Sequence, residues 1–368
     1  MEYGISRLDL RGFKSIRSLT DFSFRPLNVL IGANGAGKSN LISFFKLLSW
    51  TMAGNLQLYV GKGGGASSFL HDGPRVTREV EASLSIETAT GTNEYFLRLF
   101  HAAPDTFVFA DEKYRYSKRD RPTTANWRPL GSGHLESGLL EAERTNQTAR
   151  TVPGLLRRCI VHQFHDTSEN ARIRQRWSVD DNRYLKEDAG NLAPFLLRLR
   201  DNEPPAYARI VDTVRQIVPF FEDFVLDPVA YNVILQWRER GSDVVFGAHQ
   251  ASDGTLRTMA LTALLLQPER DLPEVLILDE PELGLHPYAI RVVAGLLKSV
   301  STRVQVILAT QSTALVDEFE PEDVVVVDRP KRESTFRRLD SQRLAEWLDE
   351  YSIGELWEKN VVGGRPGR

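Results

Sequence analysis

Gly32-Ala33-Asn34-Gly35-Ala36-Gly37-Lys38-Ser39 and, far along the chain, Asp279-Glu280 have the residue types and spacing for phosphoryl chemistry. The first stretch fits G-x-x-x-x-G-K-[ST] without a mismatch. Its glycines let backbone N–H groups close around a β-phosphate with no side chain in the way. Lys38 then reaches the β- and γ-phosphates, and the Ser39 hydroxyl serves Mg²⁺. Asp279 is placed to support the same Mg²⁺, and Glu280 to orient or deprotonate an attacking water. Phosphoryl transfer needs positioning and charge neutralisation more than covalent chemistry, so these four side chains suffice as a core. Two further groups bear on it. Gln311 of Thr310-Gln311-Ser312 offers an amide to the γ-phosphate; the alternative is a strand end with Ser312 capping the next helix. Ser252-Asp253-Gly254 precede the apolar run TMALTALLLQ and read as a helix N-cap, which is also an anion site.

The elements that must hold these residues are legible around them. LNVLI (27–31) is a short apolar strand before the loop, and NLISFFKLL follows it with helical spacing. VLIL (275–278) and RVQVILATQST (303–313) read as neighbouring buried strands of a parallel sheet, whose carboxyl ends face the ligand crevice. VEASLSIE, EYFLRLF, TFVFA and KYRYS alternate as half-buried antiparallel strands. Residues 117–150 read as a polar, turn-rich surface segment, and Gly61-Lys62-Gly63-Gly64-Gly65 as a flexible loop. Residues 166–222 are expected to be helical, VAYNVILQWRE and SDVVFGAH to form a hairpin, and STFRRLD, SQRLAEWLDEY and GELWEKN to supply a final strand and two helices.

Bulk composition narrows the class. The chain has 368 residues, 42% hydrophobic and 26% charged, with net charge −3, ordinary for a globular protein with a sizeable core and against a generally nucleic-acid-coating one. One cysteine, Cys159, excludes a disulfide framework and a thiolate metal cage and fits a cytoplasmic location. The charged N-terminal stretch is not a signal peptide, and no apolar run suggests a membrane span. His162, His165 and Asp166 lack a third ligand at a recognisable metal spacing.

GFKS (12–15), GANGAGKSN (32–40), SDGTLR (252–257), LILDEPELGLHP (276–287), ATQS (309–312) and YSIGELWEKNVVGGRP (351–366), in this order, resemble the ABC-type ATPase heads of the RecF/SMC/OLD group, and more closely the compact RecF-like predicted ATPases of bacteria. The resemblance covers essentially the whole chain. It implies an α/β P-loop NTPase fold with two lobes: lobe I at about 1–165 and 258–330, lobe II at about 166–257 carrying the signature motif, and a C-terminal strand and helices at 331–368. It implies ATP and Mg²⁺ as ligands, bound by Asn34, Gly35, Ala36, Gly37, Lys38, Ser39 and Asn40, with Lys14 and Ser15 flanking the nucleotide. It makes Glu280, Lys38 and Gln311 catalytic, puts Ser39, Asp279 and a Q-loop glutamine at the metal, with Gln163 the candidate and a plain strand residue the alternative reading of that position, and gives Ser252, Asp253 and Gly254 to the γ-phosphate held by a second copy. Two heads then sandwich two ATP head to tail. Asp253, Ala251, Gln311 and His286 depart from the wider ABC pattern and bear on the hydrolysis rate.

No sustained apolar heptads lie between Ser39 and Ser252, so a long coiled-coil arm is not expected, nor is a TOPRIM nuclease after Asp328. The expected function is an ATP-hydrolysing head coupled to double-stranded DNA or a separate effector protein, in DNA repair or phage defence. The alternatives are a low-turnover ATP sensor holding an effector and, more weakly, a transporter subunit. Two basic clusters carry the DNA reading: Lys113-Tyr114-Arg115-Tyr116-Ser117-Lys118-Arg119-Asp120-Arg121, and Arg144, Arg150, Arg157 and Arg158; each is equally a solvated charged face.

Overall fold

The computed structural model describes residues 4–119 and 125–364. Asp120 and Arg121 of the first basic cluster, and the last residues of the tail motif, lie outside them.

The apolar runs LNVLI, VLILD, QVILAT and VVVVD have no polar face, the pattern of strands buried on both sides. They form the centre of a six-stranded sheet in the order Thr335–Arg338, Val324–Asp328, Leu27–Ile31, Gln305–Thr310, Val275–Asp279, Cys159–His162. Five strands are parallel and Thr335–Arg338 closes one edge antiparallel. The register sets Thr310 beside Ile31 and Ala309 beside Asp279. The carboxyl ends of the parallel strands therefore share one edge, where open α/β sheets bind ligands.

Successive residues of these strands feed two cores, as a period of two requires. Val29, Ile31, Leu276, Leu278, Val306 and Leu308 join the core shared with helices Leu192–Asn202, Pro204–Ile217, Asp253–Leu266 and Pro287–Ser301. Leu30, Val275, Ile277, Ile307 and Ala309 face helix Lys38–Met52 instead. That helix buries Leu41, Phe44, Phe45, Leu47 and Leu48 completely, each contributing about 1.5–3 kcal/mol, so the loop at its start is firmly anchored. A second, antiparallel sheet covers it, ordered Ile16–Ser23, Gly4–Phe13, Glu79–Thr88, Gly91–Ala102, Thr106–Lys118, Arg128–Gly131. The Gln305 side chain ties the two sheets together, accepting from Ile5 N at 3.0 Å and donating to Ile5 O at 2.8 Å.

Four expectations are corrected. Residues 117–150 are not simply surface turns: helices Leu139–Thr145 and Gln147–Arg157 bury Leu139, Ala149, Val152 and Leu156 against the second core. Residues 166–191 hold no α-helix, only a short 3₁₀ turn at Arg172–Arg174. There the Asn191 side chain substitutes for a backbone ladder, donating to Asp181 O and Tyr184 O and accepting from Lys186 N. Phe221–Val225, expected at a helix end, is a strand that joins the hairpin Gln236–Glu239/Val245–Gly247 as a third member. The glycine run at 61–65 ends helix Leu56–Lys62 in a turn closed by Gly63 N and Gly65 N on Val60 O, so it is ordered rather than a loose loop.

Candidate functional site

The glycine loop runs from strand Leu27–Ile31 to helix Lys38–Met52, and its shape is enforced from behind. Gly37 has φ 119°, and a Cβ there would overlap Ser334 Oγ and lie 2.8 Å from Ser15 Oγ. Ser334 Oγ donates to Ala36 O at 2.5 Å and meets Ser15 Oγ at 2.6 Å, while Asn40 Nδ2 donates to Ser15 Oγ at 2.6 Å. Ser15, expected beside the nucleotide, is instead buried behind the loop as part of this clamp. Lys14 is likewise occupied elsewhere: its Nζ donates to Ser43 Oγ at 2.7 Å and lies 5.1 Å from the Phe69 ring centroid. Burial, reinforced by Lys46, lowers the Lys14 pKa. No local signal in the sequence marks Ser334, which is 319 residues from Ser15.

On the open side, the loop is unsatisfied. Among the described residues, Ala36 N bonds Ala33 O, whereas the amides of Gly35, Gly37, Lys38 and Ser39 have no protein acceptor. Lys38 Nζ folds back onto Gly32 O at 2.5 Å and Ala33 O at 3.1 Å. Its pKa is lowered by burial, against the pull of Glu280, Asp279 and Glu282. Asn34 and Ser39 are exposed. A cleft of about 330 Å³, lined by Gly32, Ala33, Asn34, Gln311, Thr313 and Trp357 among others, opens beside them.

The acidic strand delivers Asp279 to the same edge. Asp279 is buried, and desolvation raises its pKa even though Gln163 Nε2 donates to Oδ2 at 2.8 Å. Gln163 directly follows strand Cys159–His162, and its Oε1 accepts from Lys46 Nζ at 2.7 Å. His165 Nε2 lies 2.8 Å from Asp279 O. His162 is buried beside Phe164, and burial drops its pKa to about 4, so it is a neutral core residue. Glu280 has φ 45°, a left-handed conformation rare for a side-chain-bearing residue and typical of functional sites. Gln311 Nε2 donates to Glu280 Oε1. Ser312 caps the next helix through Leu315 N, as the strand-end alternative for this segment expects. The sequence reading passed over Glu282. It is buried, its pKa is raised by desolvation, and it accepts from Thr310 Oγ1 at 2.5 Å and Gln311 N at 3.3 Å, fixing the strand end that carries Gln311.

Among the described residues, Ser252, Asp253 and Gly254 make no side-chain hydrogen bond to this cluster. Ser252 Oγ accepts from Thr255 N at 3.1 Å and caps helix Asp253–Leu266; Ser252 and Asp253 are exposed. Asp253 meets Arg174 at 3.3 Å. Gly254 abuts the 283–284 turn so closely that a Cβ would sit 2.5 Å from Gly284 O. Arg257 explains the final residue of SDGTLR. Its buried guanidinium donates to Phe164 O, His165 O and Leu283 O, each at 2.9 Å, joining the signature helix to the segments after Gln163 and after Glu280. His286 caps helix Pro287–Ser301 through Tyr288 N.

Four residues of the basic clusters carry counterions or acidic partners. Arg115 binds Glu94 through two nitrogens and stacks over Trp127; Lys113 pairs with Asp111 at 2.8 Å. Arg157 pairs with Glu143 and Arg158 with Glu274. Among the described residues, no helix is long and apolar enough to cross a membrane.

A glycine loop at a strand–helix junction, an acidic strand two places away in a parallel sheet, and a polar strand end between them define an ABC-type nucleotide-binding core of the SMC/RecF kind. Residues 27–317 match the family model described as "AAA domain, putative AbiEii toxin, Type IV TA system", and the chain belongs to that AAA family. Solved structures agree on the fold. An Smc head bound to the C-winged helix domain of ScpA is 16% identical, with a TM-score of 0.59, over 92% of this chain and 99% of that one. An Smc head with an extended coiled coil, bound to the C-terminal domain of ScpA and derived from Pyrococcus furiosus, matches at 16% identity and TM-score 0.59, over 95% and 99%. A comparison with curated proteins finds no match.

Proposed function

We propose that this chain is a Mg²⁺-dependent ATPase head that closes on a second copy of itself around two ATP molecules and passes its nucleotide state to a separate effector protein. The observation that carries this reading is a division. Lys38, Ser39, Asp279, Glu280 and Gln311 converge on one sheet edge, while Ser252 and Asp253 stand exposed and bond only to Thr255 and Arg174, and Gly254 packs half-buried against the 283–284 turn. A signature loop that does not serve its own phosphate loop is free to serve another's.

The residues fit the ligands. The four loop amides without acceptors form a phosphate cradle, and Lys38 has only carbonyls to leave. Ser39 and Asp279 would hold Mg²⁺, with Gln163 alongside; the ion would supply charge neutralisation on the phosphate oxygens. Glu280 would orient the attacking water and Gln311 the γ-phosphate. Contact with a γ-phosphate from both sides gives the pair a preference for ATP over ADP, which a switch requires. On this reading the cleft lies between lobe I (about 1–165 and 258–330) and the C-terminal segment (331–368), and the signature in lobe II (about 166–257).

The ion pairs of Lys113, Arg115, Arg157 and Arg158 favour a protein effector over DNA as the partner. The toxin wording of the family description, and the ScpA partner of the Smc heads, support a bipartite system in cytoplasmic phage defence more than DNA repair. The Gln311–Glu280 hydrogen bond favours one second reading, a slow-turnover sensor, because it occupies the carboxylate that would act on water.

The test is ATP hydrolysis and sedimentation of wild type, K38A and E280Q. Turnover above the K38A background, with an ATP-dependent dimer accumulating in E280Q, is the expected result. Dimerisation without turnover selects the sensor. No ATP-dependent dimer in E280Q overturns the two-copy reading.

A further inference from the structure

Gln163 lies between a cation and an anion, and this determines which way its amide faces. The Lys46 ammonium can only donate and the ionised Asp279 carboxylate can only accept. Oε1 therefore faces Lys46 Nζ at 2.7 Å, and Nε2 faces Asp279 Oδ2 at 2.8 Å. The opposite orientation would set a donor against a donor and an acceptor against an acceptor. Lys46 is on helix Lys38–Met52, two turns beyond the phosphate loop, and that helix is locked into the core by its buried face. The Gln163 backbone is fixed as well, its N–H donating to Glu187 O at 2.9 Å. The side-chain amide is the mobile part of this relay, and Lys46 sets its orientation.

We propose that Lys46 is a positioning residue for Gln163, holding the amide oxygen out of the cleft and the amide nitrogen over Asp279 until a divalent cation displaces it. This rests on the reading of Ser39 and Asp279 as the Mg²⁺ side of the site. A hard cation takes oxygen donors. In the arrangement seen, one Asp279 oxygen is covered by an N–H and the Gln163 oxygen is engaged with Lys46. A cation that takes the covered Asp279 oxygen displaces the Gln163 N–H from it, and recruiting the Gln163 oxygen must break the bond to Lys46. The relay thus opposes occupancy by metal. It also links that occupancy to Gln163, which joins strand Cys159–His162 to the segment beyond it.

The variants are K46M, K46Q and K46R, and the first readout is the Mg²⁺ concentration that half-saturates the tightening of a fluorescent ATP analogue's binding. K46M removes the donor, so the half-saturating Mg²⁺ should fall about two- to tenfold, the range of one net hydrogen bond. K46R and K46Q should stay near wild type, because each still presents an N–H to Oε1. K46Q following K46M would show that charge alone matters and overturn the positioning role, as would K46M behaving like wild type. Analogue binding without Mg²⁺ should be equal in all four proteins. The second readout needs no nucleotide. In protein labelled with ¹⁵N-glutamine, the Gln163 side-chain amide signals should be displaced from free-amide positions in wild type and K46R and return towards them in K46M. Signals that do not move overturn the proposal even if the chain proves not to bind ATP, a failure that would appear separately as no analogue binding by wild type.

Discussion

Removal of the Arg257 guanidinium should loosen three functional segments at once. The side chain is buried and donates to three backbone carbonyls at 2.9 Å each: Phe164 O, which is fully buried, and His165 O and Leu283 O, which are partly so. In R257M those acceptors lose their donor. Over one buried and two half-buried acceptors the loss is about 3–6 kcal/mol, and relief from burying the cation returns about 1–3, leaving about 0–5 kcal/mol with a middle value of about 2–3. At roughly 2.1 cal/mol/K per residue, a chain of this length unfolds with an entropy of about 0.8 kcal/mol/K, so Tm should drop by about 3–4 °C. R257K keeps the charge but not the planar fork and reaches fewer of the carbonyls, so it should recover only part of the loss. Thermal unfolding followed by circular dichroism measures both. Analogue binding to the phosphate loop should survive in R257M, while the ATP-dependent dimer weakens, because the clamp holds the signature helix and not the cradle. R257K matching wild type within about 1 °C would refute the fork argument, since a point charge would then suffice.

Three further outcomes are expected. G254A pushes a methyl against Gly284 O, so it should reduce ATP-dependent dimerisation in sedimentation without changing single-copy nucleotide affinity. S334A removes the hydroxyl that holds Ala36 O and Ser15, so a nucleotide titration should show ATP affinity lower by about two- to tenfold, the effect of one net hydrogen bond. D279N should raise nucleotide-free stability at neutral pH, because burial raises the Asp279 pKa and the folded chain is penalised for ionising it. That penalty is present above the folded pKa and disappears as pH falls to the ordinary Asp value. The D279N advantage in Tm should therefore shrink on acidification, and an advantage that grows instead would reverse the sign assigned to burial.

The glycine loop and the strands beside it were legible because backbone geometry and burial leave local marks. A loop that needs Gly37 at φ 119° must spell glycine there, and strands buried on both faces must be continuously apolar, so Leu27–Ile31 and Val275–Asp279 announced themselves. What supports the loop left no such mark. Ser15 and Ser334 are ordinary serines until the fold brings them to 2.6 Å, and Lys46 is an ordinary helix-surface lysine until Gln163 arrives beside it. Helix Gln147–Arg157 was hidden by its arginines and by Pro153, although Val152 and Leu156 lie on one buried face. Residues 166–191 misled in the other direction. Their order comes from single side chains such as Asn191 and Arg174 bonding to backbone, which has no periodicity to read.

The order of strands in the central sheet also sets a timetable for synthesis. Leu27–Ile31 emerges early, yet its two neighbours are Gln305–Thr310 and Val324–Asp328. At about 5–20 residues per second, the loop strand waits tens of seconds with both edges unpaired. An apolar strand with open edges is a template for unwanted pairing with other nascent chains. Helix Lys38–Met52 and the antiparallel sheet, which are contiguous early in the chain, can cover one of its faces but cannot satisfy its edges. Ribosome-bound chains stalled before residue 305 should therefore depend on chaperones and bind no nucleotide, and the cradle should appear only once the last quarter of the chain has emerged.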